Sequence, residues 1–324
     1  MLSPRDGGLL LLLCISQQLV HALDLMNITD MADYCKNAHR IRPLQDYQIH
    51  KASVAILPER ERALIDRGQR KKMINEFYTF SFDGITLAEF PRKEIYYMRI
   101  FKNGNDEIRA LLEHATGNRT EVVTYDTFLP RYQKTHRGRK GKSAFIFTFT
   151  RDPMSRFVSA YTEVMVRRKD WFRVNNKEYE PLQVKNFIDE LLHYRHHFFK
   201  DMDHVWSQLG PMTLVHEMSK YMSFEVHLYH LEDYLQSLAT LSEAANIPIR
   251  LQDIYRNEGK TRLTAHESSK DPMGTSARAR AFLKESPAYV KALCHIYFSD
   301  FVCLGYDLPS ECQDLTSDAK LLSF

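Results

Sequence analysis

The stretch FIFTFTRDPMSRFVSAY, residues 145–161, decides the fold. Its first half is an apolar run typical of a strand buried on both faces, and its second half has the apolar spacing of a helix. Arg151 therefore falls at the carboxyl end of a strand, which is the edge of an open α/β sheet where ligands bind. A guanidinium there, beside a helix start and the Ser159 hydroxyl, predicts a phosphate-binding site. The alternative is an Arg-Asp pair that only ties a loop.

A second segment has the same organisation. Residues 94–101, EIYYMRIF, are rich in strand-forming residues, the polar loop KNGND follows at 102–106, and residues 107–115 have helical spacing. A strand, a glycine-containing loop and a helix together are typical of a phosphate cradle. The loop lacks the G-x-x-x-x-G-K-[ST] pattern, which disfavours nucleoside triphosphate hydrolysis.

The rest of the chain continues the alternation of strands and helices, which predicts an α/β fold with a central parallel sheet covered on both faces. A charged N-terminal arm precedes the alternating elements. Further strands are expected at 120–128, 143–150 and 224–229, and further helices at 181–194, 232–245 and 287–298.

The N-terminus is expected to direct the chain into the secretory pathway. Arg5, the apolar run 9–15 and the small-residue pattern Val20-His21-Ala22 predict a signal peptide over residues 1–22, with a short membrane anchor as the alternative. Asn27 and Asn118 open glycosylation sequons, which agree with that compartment. The net charge of +3 is too small to indicate a nucleic-acid partner.

Loss of a signal peptide would remove Cys14 and leave four cysteines in an oxidising compartment. Four cysteines permit two disulfides in three connectivities, among which spacing cannot choose. No His or Cys cluster has metal-site spacing, so no metal is predicted. The remaining cysteines are Cys35, Cys294, Cys303 and Cys312.

The pattern R-D-P-x-x-R-x-x-S-x-Y at 151–161 resembles the 3′-phosphate motif of sulfotransferases that use 3′-phosphoadenosine 5′-phosphosulfate (PAPS). The likeness is greatest to the membrane-associated carbohydrate sulfotransferases of the Golgi. It implies that Arg151 and Ser159 hold the 3′-phosphate, whereas Arg156 serves packing. Lys102-Asn103-Gly104 resembles the family's 5′-phosphosulfate loop. There the lysine would offset charge on the departing oxygen.

Three further segments, at 203–208, 224–245 and 293–307, are similar to the family's later elements. The resemblance implies a P-loop-like three-layer sulfotransferase fold over residues 94–308. An N-terminal arm at 23–93 and a tail at 309–324 would flank it.

Asn105 and Asp106 depart from the family, because they stand where a Thr or Ser is usual. One interpretation is that Asp106 caps the following helix while the Asn105 amide donates to the nucleotide. The other is that the carboxylate impairs donor binding.

Transfer requires a base, and histidine suits the role because its pKa is near the working pH. His204 is the first candidate, and His136, in the basic loop 131–142, is the second. Lys260 and Arg262 lie in a polar cationic segment that, by resemblance, closes over the nucleotide.

The expected function is therefore sulfuryl transfer from PAPS, as co-substrate, to a hydroxyl of a glycan or glycoprotein acceptor. The expected compartment is the Golgi lumen or the exterior, with weak membrane association through the N-terminus and no nucleic-acid partner. One alternative is a secreted glycan-binding protein that kept the fold without the chemistry. Another is a sulfotransferase acting on protein tyrosine or a small alcohol.

Overall fold

Strands and helices alternate along the chain. The structure, a computed structural model, describes residues 35, 42–59, 82–90, 93–117, 120–124, 127–128, 130–132, 143–174, 183–193, 209–210, 212, 226–249, 271 and 274–315. The strands are β1 (Phe82–Phe90), β2 (Lys93–Ile100), β3 (Thr120–Val123), β4 (Ser143–Thr150) and β5 (His227–His230). The helices are α1 (Arg42–Ile56), α2 (Asn105–Thr116), α3 (Pro153–Val174), α4 (Val184–His193), α5 (Tyr234–Ala245), α6 (Thr275–Glu285), α7 (Pro287–Ile296) and α8 (Phe298–Cys303), with a 3₁₀ turn at Ser310–Cys312.

Within the described residues, five strands form one sheet in the order β3-β1-β2-β4-β5. β2 is parallel to β4, and β4 is parallel to β5. β1 is antiparallel to both β2 and β3, so the other four strands share one direction. The sheet is mostly parallel, and the predicted α/β class is confirmed.

Side chains alternate along each strand, so both faces of this sheet carry apolar residues and both are covered by helices. One face packs against α2 and α5, and its buried set includes Phe145, Phe147, Phe149, Ile108, Leu112, Leu238 and Leu241. The opposite face includes Tyr96, Met98 and Ile146 packed with Phe128, Met212 and Leu304. A larger apolar cluster joins α1, α3, α4, α6, α7 and α8.

The amphipathic helix predicted at 181–194 is present as α4. Its predicted apolar face is buried, and the residues on it are Val184, Phe187, Ile188, Leu191 and Leu192.

Two strands differ from the sequence prediction. Residues 82–90, which the sequence placed in the N-terminal arm, form β1 and pair along their length with β2. The strand predicted at 120–128 ends at Val123, because the Phe128 amide donates to the Thr124 carbonyl at 2.9 Å and turns the chain. The Phe128 ring then packs edge-on against Tyr96, with 5.0 Å between ring centroids.

Two disulfides link Cys35 with Cys303 and Cys294 with Cys312. The first joins the N-terminal segment to the end of α8 across 268 residues of sequence. The second closes an 18-residue separation between α7 and the terminal 3₁₀ turn. Of the three connectivities open to the sequence, the fold selects this one by bringing these pairs together.

Replacing both Cys294 and Cys312 by serine is expected to lower the free energy of unfolding by about 3 kcal/mol, because a short cross-link restricts the unfolded chain. Denaturant unfolding of wild type and double variant, each with and without reductant, measures this. The difference should be present under oxidising conditions and vanish in reductant. Equal stability of the oxidised proteins would contradict the expectation.

Candidate active site

Three loops gather at one edge of the sheet, where β2, β4 and β5 end. Because these neighbours are parallel, their carboxyl ends lie together, and each continues through a short loop into a helix. The loops are residues 101–104 before α2, residues 151–152 before α3 and residues 231–233 before α5. This is the edge at which the sequence predicted Lys102 and Arg151.

The first loop has an unusual backbone. Lys102 has a φ of 68° and Gly104 a φ of 73°, both in the left-handed region that side chains with a Cβ rarely adopt. A Cβ added at Gly104 would lie 3.2 Å from Leu231 Cδ1 in the neighbouring loop. Only glycine therefore fits this close approach without displacing Leu231, and the strained Lys102 marks the loop as a functional candidate.

Buried side chains hold this loop in place. Asn103 is fully buried, and its amide nitrogen donates to the Phe149 carbonyl of β4 at 2.7 Å. The Tyr97 hydroxyl donates to Asn105 Oδ1 at 2.7 Å, so the donor end of that carboxamide is turned away from Tyr97. The side chain of Asn103 thus ties the loop to the sheet, and the predicted contact of this residue with the nucleotide stays a prediction.

The N-terminus of α2 begins at Asn105 with Gly104 as its N-cap, and it has no side-chain cap. The prediction that Asp106 caps this helix is wrong, because the left-handed Gly104 turns the chain early and places Asp106 in the first turn, exposed to solvent. Backbone amides at the N-terminus of a helix are suited to holding an anion.

The second loop lies directly beside the first. Arg151 Nη1 donates to the carbonyl oxygen of Lys102 at 3.4 Å. Carboxylates of the protein accept from backbone amides at the start of α3. Asp152 Oδ1 accepts from the Ser155 amide, and Glu232 Oε1 accepts from the Asp152 amide, each at 2.7 Å.

Arg156 of α3 is 1% exposed and links the first loop to the segment at Gly210. Its Nε donates to the Phe101 carbonyl at 3.1 Å, and its Nη1 donates to the Gly210 carbonyl at 2.5 Å. Burial lowers the pKa of the guanidinium, while Tyr297 and Asp300 act in the opposite direction. The predicted packing role of Arg156 agrees with this placement.

Glu163 is a site residue that the sequence analysis missed. Its Oε2 lies 3.2 Å from Lys102 Nζ. Ser159 and Glu163 are four residues apart on α3, so they share one face of the helix. Helical spacing from Ser159 was the signal that could have revealed Glu163.

The third loop supports the second. Glu232 Oε1 accepts from the Asp152 amide, and Glu232 Oε2 lies 3.3 Å from the Tyr306 hydroxyl. Tyr306 also donates to Thr150 Oγ1 at 2.8 Å, and its ring packs against His230. Burial raises the pKa of the Tyr306 phenol above its usual value, which keeps it a proton donor.

Several predicted residues lie outside the described part of the chain: His204, His136, Lys260, Arg262, Asn27 and Asn118. The signal segment 1–22 also lies outside it. Within the part of the chain that the structure describes, no three His, Cys, Asp or Glu side chains are grouped as metal ligands. None of the helices described there has the length and apolar character needed to cross a bilayer.

Comparison with known proteins identifies the family of the chain. No curated protein and no solved structure gave a significant match. A sequence model of the sulfotransferase family matches residues 87–307, which include all three loops and more than half of the 324-residue chain. The chain therefore belongs to the sulfotransferase family, a family of transferase enzymes.

Proposed function

We propose that the protein transfers the sulfuryl group of PAPS to a hydroxyl of a carbohydrate acceptor. The observation that carries this proposal is the contact between the two cationic loops, in which Arg151 donates to the Lys102 carbonyl at 3.4 Å. One nucleotide carrying an anion at each end can therefore bridge both loops. PAPS supplies the activated sulfuryl group, and the chain supplies charge and position.

The first loop fits the 5′ end of the nucleotide. The amides of Gly104, Asn105 and Asp106 lie at the N-terminus of α2, where backbone donors suit phosphate oxygens, and Asn103 fixes the loop. Lys102 would meet the charge that develops on the bridging oxygen. The solvent-exposed Asp106 carboxylate supports binding through the backbone rather than impairment of the donor site.

The second loop fits the 3′-phosphate. Because Asp152 and Glu232 already occupy amides at the start of α3, recognition there falls to the side chains of Arg151 and Ser159. A guanidinium binds phosphate through paired, charge-assisted hydrogen bonds, which suits discrimination between nucleotides with and without this group.

His204 is proposed as the base that accepts the hydroxyl proton, with His136 as second candidate, and Lys260 and Arg262 are proposed to close over the nucleotide. Histidine suits the role because the pKa of its ring lies near the working pH. The two disulfides support a secretory-pathway location, where Asn27 and Asn118 would be glycosylated and the N-terminus would give weak membrane association.

The test is binding of the product nucleotide 3′-phosphoadenosine 5′-phosphate (PAP) by the full chain. Arg151→Ala is expected to weaken PAP binding by about 10- to 100-fold, since a hydrogen bond to a charged group contributes about 1.5–3 kcal/mol. Calorimetry measures the affinity, and thermal stabilisation by PAP should fall in parallel.

Arg109→Ala is the matched control, because Arg109 pairs with Glu113 on the surface of α2. It should bind PAP as wild type does. Unchanged affinity in a folded Arg151→Ala protein would reject the proposed donor site. Labelled PAPS offered with desulfated glycans, peptides and small alcohols tests the acceptor, and exclusive labelling of a peptide would reject the carbohydrate assignment.

A further inference from the structure

The Lys102–Glu163 ion pair places a carboxylate where an anionic nucleotide is expected to bind. The two side chains are only 19% and 22% exposed. By comparison, the cations of the surface pairs Arg109–Glu113 and Lys291–Asp314 are 46% and 38% exposed. Shielding from solvent strengthens the interaction of both charges with any anion that enters the site.

The backbone of Lys102 is held in place close to this carboxylate. Its left-handed conformation and the buried amide of Asn103 fix the loop, while Glu163 projects from the same face of α3 as Ser159. Glu163 therefore lies on the side of the helix that faces the proposed nucleotide, beside the cation needed for its 5′ end.

We propose that Glu163 is a counter-charge of the donor site that competes with the 5′ anion of the nucleotide for Lys102. This inference rests on the proposed function. In the empty site the Glu163 carboxylate forms an ion pair with the Lys102 ammonium group. In the loaded site it repels the 5′ phosphate, so the bisphosphate product is held less tightly than the cations alone would hold it.

The repulsion acts on one end of the nucleotide only. Glu163 contacts the lysine of the first loop, whereas the 3′-phosphate belongs to Arg151 in the second. Removing the carboxylate charge should therefore strengthen binding of ligands with a 5′ anion and leave a ligand with only a 3′-phosphate unaffected. A residue that merely orients Lys102 would have the opposite effect, since its loss would weaken 5′-anion binding.

The experiment compares wild type with Glu163→Gln, which keeps the shape and hydrogen-bonding capacity of the side chain. Calorimetry on the full chain uses PAP, adenosine 5′-monophosphate and adenosine 3′-monophosphate. PAP and the 5′-monophosphate are expected to bind about tenfold more tightly to the variant, as one partly shielded charge a few ångströms away implies. Affinity for the 3′-monophosphate should stay within about twofold.

Glu113→Gln is the control, because it removes the same charge from α2 at an exposed pair away from the loops. It should leave all three affinities unchanged. Weaker or unchanged PAP binding in a folded Glu163→Gln protein would overturn the counter-charge. The proposed function would remain intact, provided that Arg151→Ala still weakens PAP binding. Absence of any nucleotide binding by folded wild type would overturn both.

Discussion

Lys102→Ala is expected to lower kcat for sulfuryl transfer by about 10²- to 10³-fold, the usual loss when one preorganised group that stabilises developing charge is removed. PAP affinity should fall less, because the amides of α2 and Arg151 still bind the ground state. The measurement is transfer of labelled sulfate from PAPS to desulfated glycans, with PAP affinity determined on the same protein.

Lys185→Ala controls for loss of a lysine, because Lys185 pairs with Asp189 on the surface of α4. It should keep wild-type kcat. Combining Lys102→Ala with Glu163→Gln is informative as well, since the double variant should recover part of the lost PAP affinity if the two charges oppose each other in the site. A Lys102→Ala enzyme with kcat within about threefold of wild type would remove the lysine from the mechanism.

Arg156→Ala is expected to lower the free energy of unfolding by about 3–5 kcal/mol, because it leaves a cavity and removes the donor from one buried and one partly buried carbonyl group. Those carbonyls belong to Phe101, at the start of the first loop, and Gly210. In a domain of this size the corresponding drop in Tm is on the order of 10 °C. Thermal unfolding followed by circular dichroism measures it.

Arg156→Lys should recover only part of this loss, because a single ammonium cannot reproduce the fixed fork of a guanidinium. Arg109→Ala, at an exposed pair, should cost under about 1 kcal/mol. If Arg156→Ala unfolded at the wild-type temperature, the loops would not depend on this buried group for their position.

Much of the fold could be predicted because the pattern is local. The run 143–150 has apolar side chains for both faces, and β4 occupies those residues in the middle of the sheet. The spacing in α4 likewise predicts which face is buried. β1 was missed because it follows a charged segment and precedes a proline. Ile85 and Leu87 lie on one face of this short segment, but only its pairing with β2 shows that it is a strand.

The candidate site was predictable in part. Lys102, Arg151 and Ser159 come from motifs that carry chemistry at strand ends, and the match to the sulfotransferase family covers them. The role of Asn103 and the capping error at Asp106 depend on side-chain direction and on the backbone of Gly104. The sequence alone does not specify the direction of the Asn103 side chain or the backbone conformation of Gly104, because both depend on contacts with segments distant in sequence.

The order of residues by itself determined the strand-to-helix transitions and the placement of Lys102 and Arg151 at strand ends, since periodicity and turn chemistry act over a few neighbouring positions. Only the tertiary structure decided which cysteines pair, that Arg151 meets the Lys102 carbonyl, and that Glu163 lies against the lysine. These contacts join positions from 18 to 268 residues apart. The parallel pairing of β2, β4 and β5 brings the three loops to one edge of the sheet. Short-range sequence patterns do not predict contacts between segments so far apart in the chain.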